Sequence, residues 1–241
     1  MYQPRVYRHS VSSVGLVTFN VSVKETDLFI SSTRDLGKEA RRLVMESRNS
    51  IEDYIKKIPI FLRTLKPLEV GADAPFIVRN MAKATTDAGV GPMAAVAGVI
   101  AEYVGKGLAR FSETVIVENG GDVYIKSVAD RIVGIYSGHS PLSGKIGLKI
   151  EGNQTPLGIC TSSGTVGHSL SFGTADAVVV LSPRAALADA VATAVGNLIH
   201  NTDDVEEGVS FARSIEGIIG VVIIKEDKLG VWGSVNICHL T

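Results

Sequence analysis

Two segments of small apolar residues most constrain the fold of this chain of 241 residues. Residues 93–109 (MAAVAGVIAEYVGKGLA) are small or apolar around most of a helix, which predicts a helix that is buried on most sides. Residues 187–196 (LADAVATAVG) predict a second helix, whose small side chains would let it lie close against neighbouring backbone. Both helices therefore need other elements to cover them.

Strand-like patterns fill most of the remaining sequence. Hairpins are predicted at residues 15–32, with a turn at KETD, and at residues 217–234, with a turn at KEDK. The continuously apolar run at residues 175–182 (ADAVVVLS) predicts a strand that is covered on both faces. The predicted order is two strands, three helices, many strands, two helices and two strands. This order indicates an α+β fold with helices packed on a mostly antiparallel sheet.

The chain is predicted to form a single domain over residues 1–241. It contains no Pro- or Ser-rich linker and no low-complexity tract that would separate two units. An internal duplication stays an open alternative, because each half has a buried helix pair near β-hairpins.

Helix starts are predicted from capping residues. Residues 33–57 have spaced apolar residues on a charged background and predict an amphipathic surface helix. The next helix is predicted to start with Asp73 as its N-cap and Pro75 in its first turn. The second buried helix is predicted to start with Ser182 as its cap and Pro183 at its first position.

Composition excludes several classes of function. The net charge is −1, so a surface for nucleic acid or for an anionic membrane is not expected. The two cysteines, Cys160 and Cys238, are no disulfide framework and are expected to be small buried residues in strands. The first residues lack a signal-peptide core, and no apolar run is long enough to cross a bilayer. A soluble cytoplasmic protein is therefore expected.

Asp189 and Thr193 form the first candidate site. Their spacing of four residues puts a carboxylate and a hydroxyl on one helix face, one turn apart. Together with backbone carbonyls and water, these oxygens suit Mg²⁺ far better than zinc. The alternative is structural, with Thr193 bonded back to a helix carbonyl and Asp189 acting as a cap or meeting solvent.

A loop rich in Gly and Ser, at residues 161–173, is the second candidate. Its hydroxyls and backbone donors are typical of loops that hold phosphate, although the P-loop pattern is missing. His168 lies in this loop among small residues and is a candidate base for the proton of a hydroxyl. The alternative is a histidine that only holds the loop in place.

Two glycine-containing segments complete the set. In NGGD, residues 119–122, the glycines would let backbone approach a ligand and Asp122 would add a polar contact, although a type I′ hairpin turn explains the motif equally well. Residues 88–98 (AGVGPMAAVAG) place free N–H groups at the positive end of a helix, which is a natural anion site, with tight helix packing as the alternative. Together, the four candidates predict a phosphate-containing ligand held with Mg²⁺.

The order of these motifs resembles the ApbE-like family of flavin transferases. NGGD, TSSG, a loop histidine, an apolar strand and ADAVATA follow one another within residues 88–200. NGGD and ADAVATA are the most specific of these matches. The whole chain is still more similar to an uncharacterised cytoplasmic branch related to that family. The resemblance implies a T-fold-like α+β architecture.

The resemblance also implies a chemistry. Family members bind FAD and Mg²⁺ and transfer FMN onto a Thr hydroxyl of a partner protein, and some hydrolyse FAD to FMN and AMP. Asp189, Thr193 and the backbone carbonyl near Val96 would hold the metal. His168 would be the base for the acceptor hydroxyl. The cofactor contacts would be Asn119, Gly120, Gly121, Asp122, Thr161, Ser162, Ser163 and Gly164.

One departure from the family pattern leaves an alternative function open. The family's Lys-Gly pair in the buried helix is Ala97-Gly98 in this chain. The alternative is a non-catalytic protein, or one of altered specificity, that binds a nucleotide or phosphate ligand with the same fold. Exposed sheet edges also leave a homo-oligomer open.

Overall fold

An antiparallel sheet of eight strands is the centre of the fold. The computed structural model describes residues 11, 13–166 and 171–240. The strands of the sheet, in spatial order, are β1 (Val17–Val23), β2 (Thr26–Ser32), β3 (Val115–Asn119), β4 (Asp122–Lys126), β7 (Leu157–Ser162), β8 (Ala177–Ser182), β9 (Gly220–Lys225) and β10 (Lys228–Gly233). Every neighbouring pair is antiparallel. Both predicted terminal hairpins, β1–β2 and β9–β10, are confirmed.

A second, smaller antiparallel sheet covers one face of the large sheet. Its strands are β5 (Arg131–Gly134), β6 (Ile146–Ile150) and β11 (Ile237–His239). Their buried side chains pack with one face of the large sheet in a hydrophobic core of their own. The helices contribute to a separate core on the other face. The large sheet therefore lies between a helical layer and the small sheet.

Six α-helices lie within the described residues. They are α1 (Gly37–Lys57), α2 (Ile60–Arg63), α3 (Phe76–Ala88), α4 (Val96–Leu108), α5 (Ala185–Leu198) and α6 (Val205–Ser214). Eight of the 13 residues of α4 and ten of the 14 residues of α5 are buried, which confirms the burial predicted from their small side chains. The predicted α+β architecture is confirmed.

Strand β8 explains the continuously apolar run in the sequence. All six of its residues are buried. Val178 and Val180 belong to the helical core, whereas Val179 and Leu181 belong to the core under the small sheet. Because successive side chains of a strand point to opposite faces, a strand between two cores is apolar at every position.

The predicted start of α3 is wrong. The helix begins at Phe76, after Pro75, and no side-chain capping hydrogen bond is made. Pro75 holds an extended backbone conformation with a ψ of 145°, so it ends the preceding turn and does not lie inside the helix. Asp73 is therefore too far from the first helical N–H groups to be the N-cap.

The predicted start of α5 is also wrong, by two residues. Ser182 is still paired within β8, and its hydroxyl donates a hydrogen bond to the carbonyl of Gly217 at 2.8 Å. The same hydroxyl accepts a hydrogen bond from the N–H of Arg184 at 3.1 Å. The helix begins at Ala185, so Pro183 lies in the connection. Pairing within the sheet takes precedence over the local capping preference.

A sharp bend separates α3 from the run that contains α4. Gly89, with a φ of 75°, ends α3 in a left-handed conformation, and a 3₁₀-helix at Pro92–Ala95 leads into α4. In the described part of the chain, no single helix is long and apolar enough to cross a membrane. Only Phe76–Ala88 and Pro92–Leu108 taken together, at an angle of 105°, reach that length and composition.

The packing of α4 on the sheet predicts a specific cost at Gly105. A Cβ on Gly105 would lie 2.1 Å from the ring of Tyr124, which is only 2% exposed. We expect Gly105→Ala to lower the free energy of unfolding by about 1–3 kcal/mol, because overpacking outweighs the gain of ~1 kcal/mol in helix propensity. Urea denaturation measures the difference.

Gly107→Ala is the matched control in the same helix. A Cβ at Gly107 would contact the end of the Leu43 side chain, at 2.5 Å, and that end can move. The loss should therefore be clearly smaller than for Gly105→Ala. Equal losses for the two variants would contradict the close contact between α4 and the ring.

Candidate functional site

The two buried helices cross at their first turns, and Ala185 lies at the crossing. A Cβ on Gly98 would lie 2.5 Å from the carbonyl oxygen of Ala185 and 2.8 Å from the Cβ of Asp189. A Cβ on Gly158, in β7, would lie 2.4 Å from the Cα of Ala185. Only glycine fits at either position, so Ala185 is held between α4 and the sheet. The crossing brings Asp189 to the start of α4.

Asp189 accepts hydrogen bonds from the first turn of α4. Its Oδ2 accepts from the N–H of Gly98 at 2.8 Å, and the N–H of Ala97 also bonds to its carboxylate. The first N–H of the helix, at Val96, bonds to the carbonyl of Met93. The structural alternative for Asp189 is therefore right in kind, because Asp189 does cap a helix, although the helix is α4 and not its own.

This arrangement corrects the anion site predicted at residues 88–98. Free N–H groups at a helix start do attract a negative charge. Here that charge is the chain's own Asp189, and the N–H groups of Ala97 and Gly98 are used by it. An external phosphate therefore has no free donor at these two N–H groups.

A second carboxylate makes the reciprocal contact. Glu102 of α4 is buried, and its Oε2 accepts a hydrogen bond from the N–H of Ala186, in the first turn of α5, at 3.3 Å. Its Oε1 is paired with the ammonium of Lys106. Each of the two helices thus supplies a carboxylate to the N-terminus of the other.

The NGGD turn adjoins the same crossing. Asn119 and Asp122 are directly paired across the β3–β4 hairpin, and the two residues between them have φ values of 69° and 109°. The Nδ2 group of Asn119 donates a hydrogen bond to the carbonyl of Ala97 at 3.0 Å. The motif is therefore a tight hairpin turn and also a contact with the start of α4, so the two interpretations are compatible.

Asp122 connects this turn to the end of β7. Its side chain is buried, and its Oδ1 accepts a hydrogen bond from the N–H of Thr161 at 3.2 Å. Gly121 lies beside the same residue, since a Cβ there would be 4.0 Å from Thr161. Gly120 is at the exposed tip of the turn. The structure thus brings NGGD, the first residue of TSSG, the start of α4 and Asp189 together.

Ser162 and Ser163 occupy different surroundings. Ser162 is buried, and its hydroxyl would lie 3.0 Å from a Cβ on Gly196 of α5. The hydroxyl of Ser163 accepts hydrogen bonds from the N–H groups of Thr165 and Val166, at 3.1 and 3.0 Å. The hydroxyl of Ser163 therefore stabilises the loop itself, although Ser163 follows Ser162 directly in the TSSG motif.

The remaining predicted residues are placed as follows. Gly164 donates its N–H to the carbonyl of Ala175 at 2.9 Å, which ties the two ends of the loop together. Thr193 is half-buried, one turn after Asp189 on α5. Val96 is the half-buried first residue of α4. His168 lies outside the described residues.

Cys160 is a part of the site that sequence reasoning missed. Its buried thiol donates a hydrogen bond to the carbonyl of Ala185 at 3.3 Å and also interacts with the carboxyl of Asp122. Burial, together with the negative charges of Asp122 and Asp189, raises the pKa of the thiol well above its usual range. The expectation of a small buried residue in a strand is correct for Cys160, but Cys238 is only half-buried.

The electrostatics of the site are dominated by two carboxyl groups in a poorly solvated region. Burial is the largest cause that raises the pKa of Asp122 to about 7, against the lowering effect of hydrogen bonds from Cys160 and Thr161, and the charge of the buried Glu118 raises it further. Burial also raises the pKa of Asp189 well above its usual value, and the charge of Asp122 raises it further. As a whole residue, Asp189 is half-buried.

These surroundings fit a hard divalent cation. The charge of Asp122 raises the pKa of Asp189, and within the described residues no Lys or Arg side chain lowers the pKa of either carboxyl. A carboxylate, a hydroxyl and carbonyl oxygens are the donors that Mg²⁺ prefers. No group of three or more His, Cys, Asp or Glu residues that could hold a metal lies within residues 11, 13–166 and 171–240. A cation here would keep water or ligand oxygens, as Mg²⁺ commonly does.

Comparisons of sequence place the chain among known proteins. The model of a family described as AbpE bacteria matches residues 8–215. A UPF0280 protein of Methanococcus vannielii is 41% identical over 226 residues, which are 91% of this chain and 92% of the relative. A UPF0280 protein of Methanocaldococcus jannaschii is 41% identical over 221 residues, which are 89% of this chain and 90% of the relative.

Comparisons of structure agree with the sequence. The flavin transferase ApbE of Vibrio cholerae superposes with a TM-score of 0.60 at 12% identity, over 91% of this chain and 97% of that one. The ApbE protein of Thermotoga maritima superposes with a TM-score of 0.60 at 13% identity, over the same shares. Identities this low show the fold alone. The resemblance drawn from the motifs is confirmed by both kinds of comparison.

The raised pKa of Asp122 predicts a pH dependence of stability. The folded protein holds this proton more tightly than the unfolded chain does, so stability should fall as the pH rises from about 4 to about 7. We expect Asp122→Asn, which keeps an acceptor for Thr161 but does not titrate, to lose that part of the slope. As the pH rises, the free energy of unfolding of the variant should increase relative to that of the wild type by up to about 4 kcal/mol.

The measurement is urea denaturation at a series of pH values in buffer that contains a chelator. Asp227→Asn, in the exposed turn of the β9–β10 hairpin, is the matched control and should keep the slope of the wild type. If Asp122→Asn also keeps that slope, the carboxyl of Asp122 is not destabilised by its surroundings.

Proposed function

Because the chain belongs to the family described as AbpE bacteria, we propose that it is a Mg²⁺-dependent flavin transferase or FAD pyrophosphatase. Both reactions break the pyrophosphate bond of FAD and release AMP. They differ in the acceptor of FMN, which is a Thr hydroxyl of a partner protein in one case and water in the other. The nucleotide is thus the substrate in either reaction.

The buried carboxylate pair at the helix crossing is the observation that carries this proposal. Asp122 raises the pKa of Asp189, and no cationic side chain of the described residues offsets this effect. A bound cation would offset the cost of keeping these two acidic groups ionised in such surroundings. A cation of this kind has an evident use, since the substrate carries a pyrophosphate.

Each residue of the site then has a defined part. Asp189, Thr193 and the carbonyl of Val96 would hold Mg²⁺, which when bound would neutralise the charge of the pyrophosphate. Asp189 is already held in place by the N–H groups of Ala97 and Gly98 in α4. His168 would remove the proton from the attacking hydroxyl.

The turn and the loop would enclose the nucleotide. Asn119, Gly120, Gly121 and Asp122 would form one wall, and the residues from Thr161 to Gly164 would form the other. The hydrogen bond between Asp122 and the N–H of Thr161 fixes the two walls to each other. A pocket held in this way binds its ligand without a large rearrangement of backbone.

A second candidate function is nucleotide binding without turnover. It is favoured by the Ala97-Gly98 pair, which offers no cationic side chain at the start of α4. It is also favoured by the use of the Ala97 and Gly98 N–H groups by Asp189, since phosphate cannot then bind to them. A chain of this kind would bind FAD or a related nucleotide and release no AMP.

Incubation with FAD and Mg²⁺, with AMP measured by chromatography, separates hydrolysis of FAD from binding without turnover. We expect AMP release by the wild type that stops when the metal is chelated. Asp189→Asn keeps a side-chain oxygen that can accept from the helix N–H groups but loses a charged ligand, so the rate should fall about 100-fold or more.

Asp227→Asn is the control for that experiment and should retain the full rate. Thermal unfolding with added Mg²⁺ and FAD gives an independent measure of binding, because a ligand that binds only the folded state raises its stability. Stabilisation without AMP release would exclude the pyrophosphatase and leave binding alone or transfer to a protein acceptor, which a second incubation with a Thr-containing acceptor protein separates. The absence of both stabilisation and AMP release would contradict all three functions.

A separate prediction concerns His168. If it is the base, His168→Ala should lower the rate of AMP release roughly 100- to 10,000-fold and leave the FAD-induced stabilisation unchanged. His139, in the exposed connection between β5 and β6, provides the matched control as His139→Ala. Equal rates for wild type and His168→Ala would remove His168 as the base.

A further inference from the structure

One exposed segment, residues 56–66 (KKIPIFLRTLK), presents large aliphatic side chains to solvent. The exposed fractions are 39% for Ile58, 54% for Ile60, 49% for Leu62 and 58% for Leu65. Single exposed apolar residues are ordinary on protein surfaces, but four within eight positions form a patch that needs an explanation. We call residues 56–66 the docking segment.

The docking segment is also strongly basic. It contains Lys56, Lys57, Arg63 and Lys66, and it contains no Asp or Glu. Lys56 is paired with Asp53 at 2.8 Å, whereas no ion pair within the described residues involves the other three cations. The chain as a whole has a net charge of −1, so the average composition conceals this local excess of positive charge.

The exposed aliphatic side chains are held in place by a buried anchor. Phe61, in the single turn of α2, is fully buried, and its ring meets that of Tyr54 edge to face at 5.2 Å. With Phe61 turned inward, its neighbours Ile60 and Leu62 are turned outward. Backbone hydrogen bonds from Ile58 to Tyr54 and from Thr64 to Ile60 fix the segment at both ends. The exposure is therefore built into the local structure.

We propose that the docking segment binds to the surface of an anionic lipid bilayer. Aliphatic side chains that alternate closely with unpaired cations match the boundary of a bilayer, where acyl chains lie directly beneath phosphate groups. Binding of this kind needs no spanning helix, and the segment would lie in the plane of the interface. This proposal departs from the expectation, drawn from net charge, that an anionic membrane is not a partner, and the vesicle experiment decides between the two.

Docking would hold the candidate site close to the lipid surface. The end of the docking segment packs on the loop before α4, because a Cβ on Gly91 would lie 1.9 Å from the carbonyl oxygen of Thr64. That loop leads through the 3₁₀-helix at Pro92–Ala95 into α4, whose first turn binds Asp189. The proposal itself does not rest on flavin chemistry, since binding is measured without any nucleotide.

Sedimentation with vesicles tests the proposal on the full chain. We expect binding to vesicles that contain equal amounts of phosphatidylglycerol and phosphatidylcholine, no binding to pure phosphatidylcholine, and release at high salt. The variant with Lys57→Gln, Arg63→Gln and Lys66→Gln should bind roughly 100-fold more weakly, because each cation near such a surface strengthens binding by a factor of about five.

Matched variants control for charge and for exposed apolar surface. Lys38→Gln, Arg79→Gln and Arg213→Gln remove the same charge from exposed positions elsewhere and should bind like the wild type. Ile60→Asp with Leu62→Asp should abolish binding, whereas Leu229→Asp with Val231→Asp, on the exposed edge strand β10, should not. Circular dichroism and urea denaturation verify that every variant is folded.

Three results would overturn the proposal. They are the absence of binding by the wild type to both kinds of vesicle, equal loss of binding by the docking-segment variants and their controls, and equal binding to charged and uncharged vesicles. Light scattering adds a fourth. If the wild type is an oligomer that Ile60→Asp with Leu62→Asp converts to monomers, a second copy of the chain covers the segment.

Discussion

The close crossing of α4 and α5 is the constraint on which the candidate site depends. Because Gly98 has no side chain, the backbone of α4 packs directly against the backbone of α5 at Ala185. Asp189 then accepts hydrogen bonds from N–H groups in the first turn of α4, and Glu102 accepts one from the N–H of Ala186 in the first turn of α5. Negative charge is stabilised at the positive end of a helix, so each contact strengthens the other helix. The small residues of both helices are thus the condition for this exchange of carboxylates.

Much of the fold could be predicted because its signals are local. Spaced apolar residues predicted α1, small apolar residues predicted α4 and α5, and the apolar run predicted β8, since each of these patterns reflects which faces are covered. The start of α5 could not be predicted from Ser182, because its hydroxyl is used by a distant carbonyl. The partner of Asp189 could not be predicted either, since Gly98 is 91 positions away and no local pattern specifies which N–H groups a carboxylate meets. For the same reason, the prediction that residues 88–98 attract a negative charge is correct, but the prediction that a bound ligand supplies this charge is wrong, because Asp189 supplies it.

Asp122 and Asp189 also show where local rules are broken. Burial of a carboxylate is unfavourable, and burial of two that repel one another is more so. Hydrogen bonds from backbone N–H groups offset a part of this cost, but no cation of the described residues does. Proteins tend to keep such departures at functional sites, where a ligand supplies the missing charge. Where the resemblance to the ApbE-like family implies a Lys, this chain has Ala97. A positive charge at the start of α4 would therefore have to come from a bound cation.

The topology of the site has a consequence for the nascent chain. The site draws on four separate parts of the sequence, at residues 97–98, 119–122, 161 and 189, and the last of these belongs to α5. When β7 has left the ribosome, the hairpin turn and the start of α4 already exist, but the carboxylate that completes them has not yet been synthesised. Contacts between distant parts of a chain form late, after the loops between them are closed. The candidate site is therefore among the last features to be completed. A chain that stops before α5 contains six of the eight strands of the large sheet but lacks the Asp189 carboxylate.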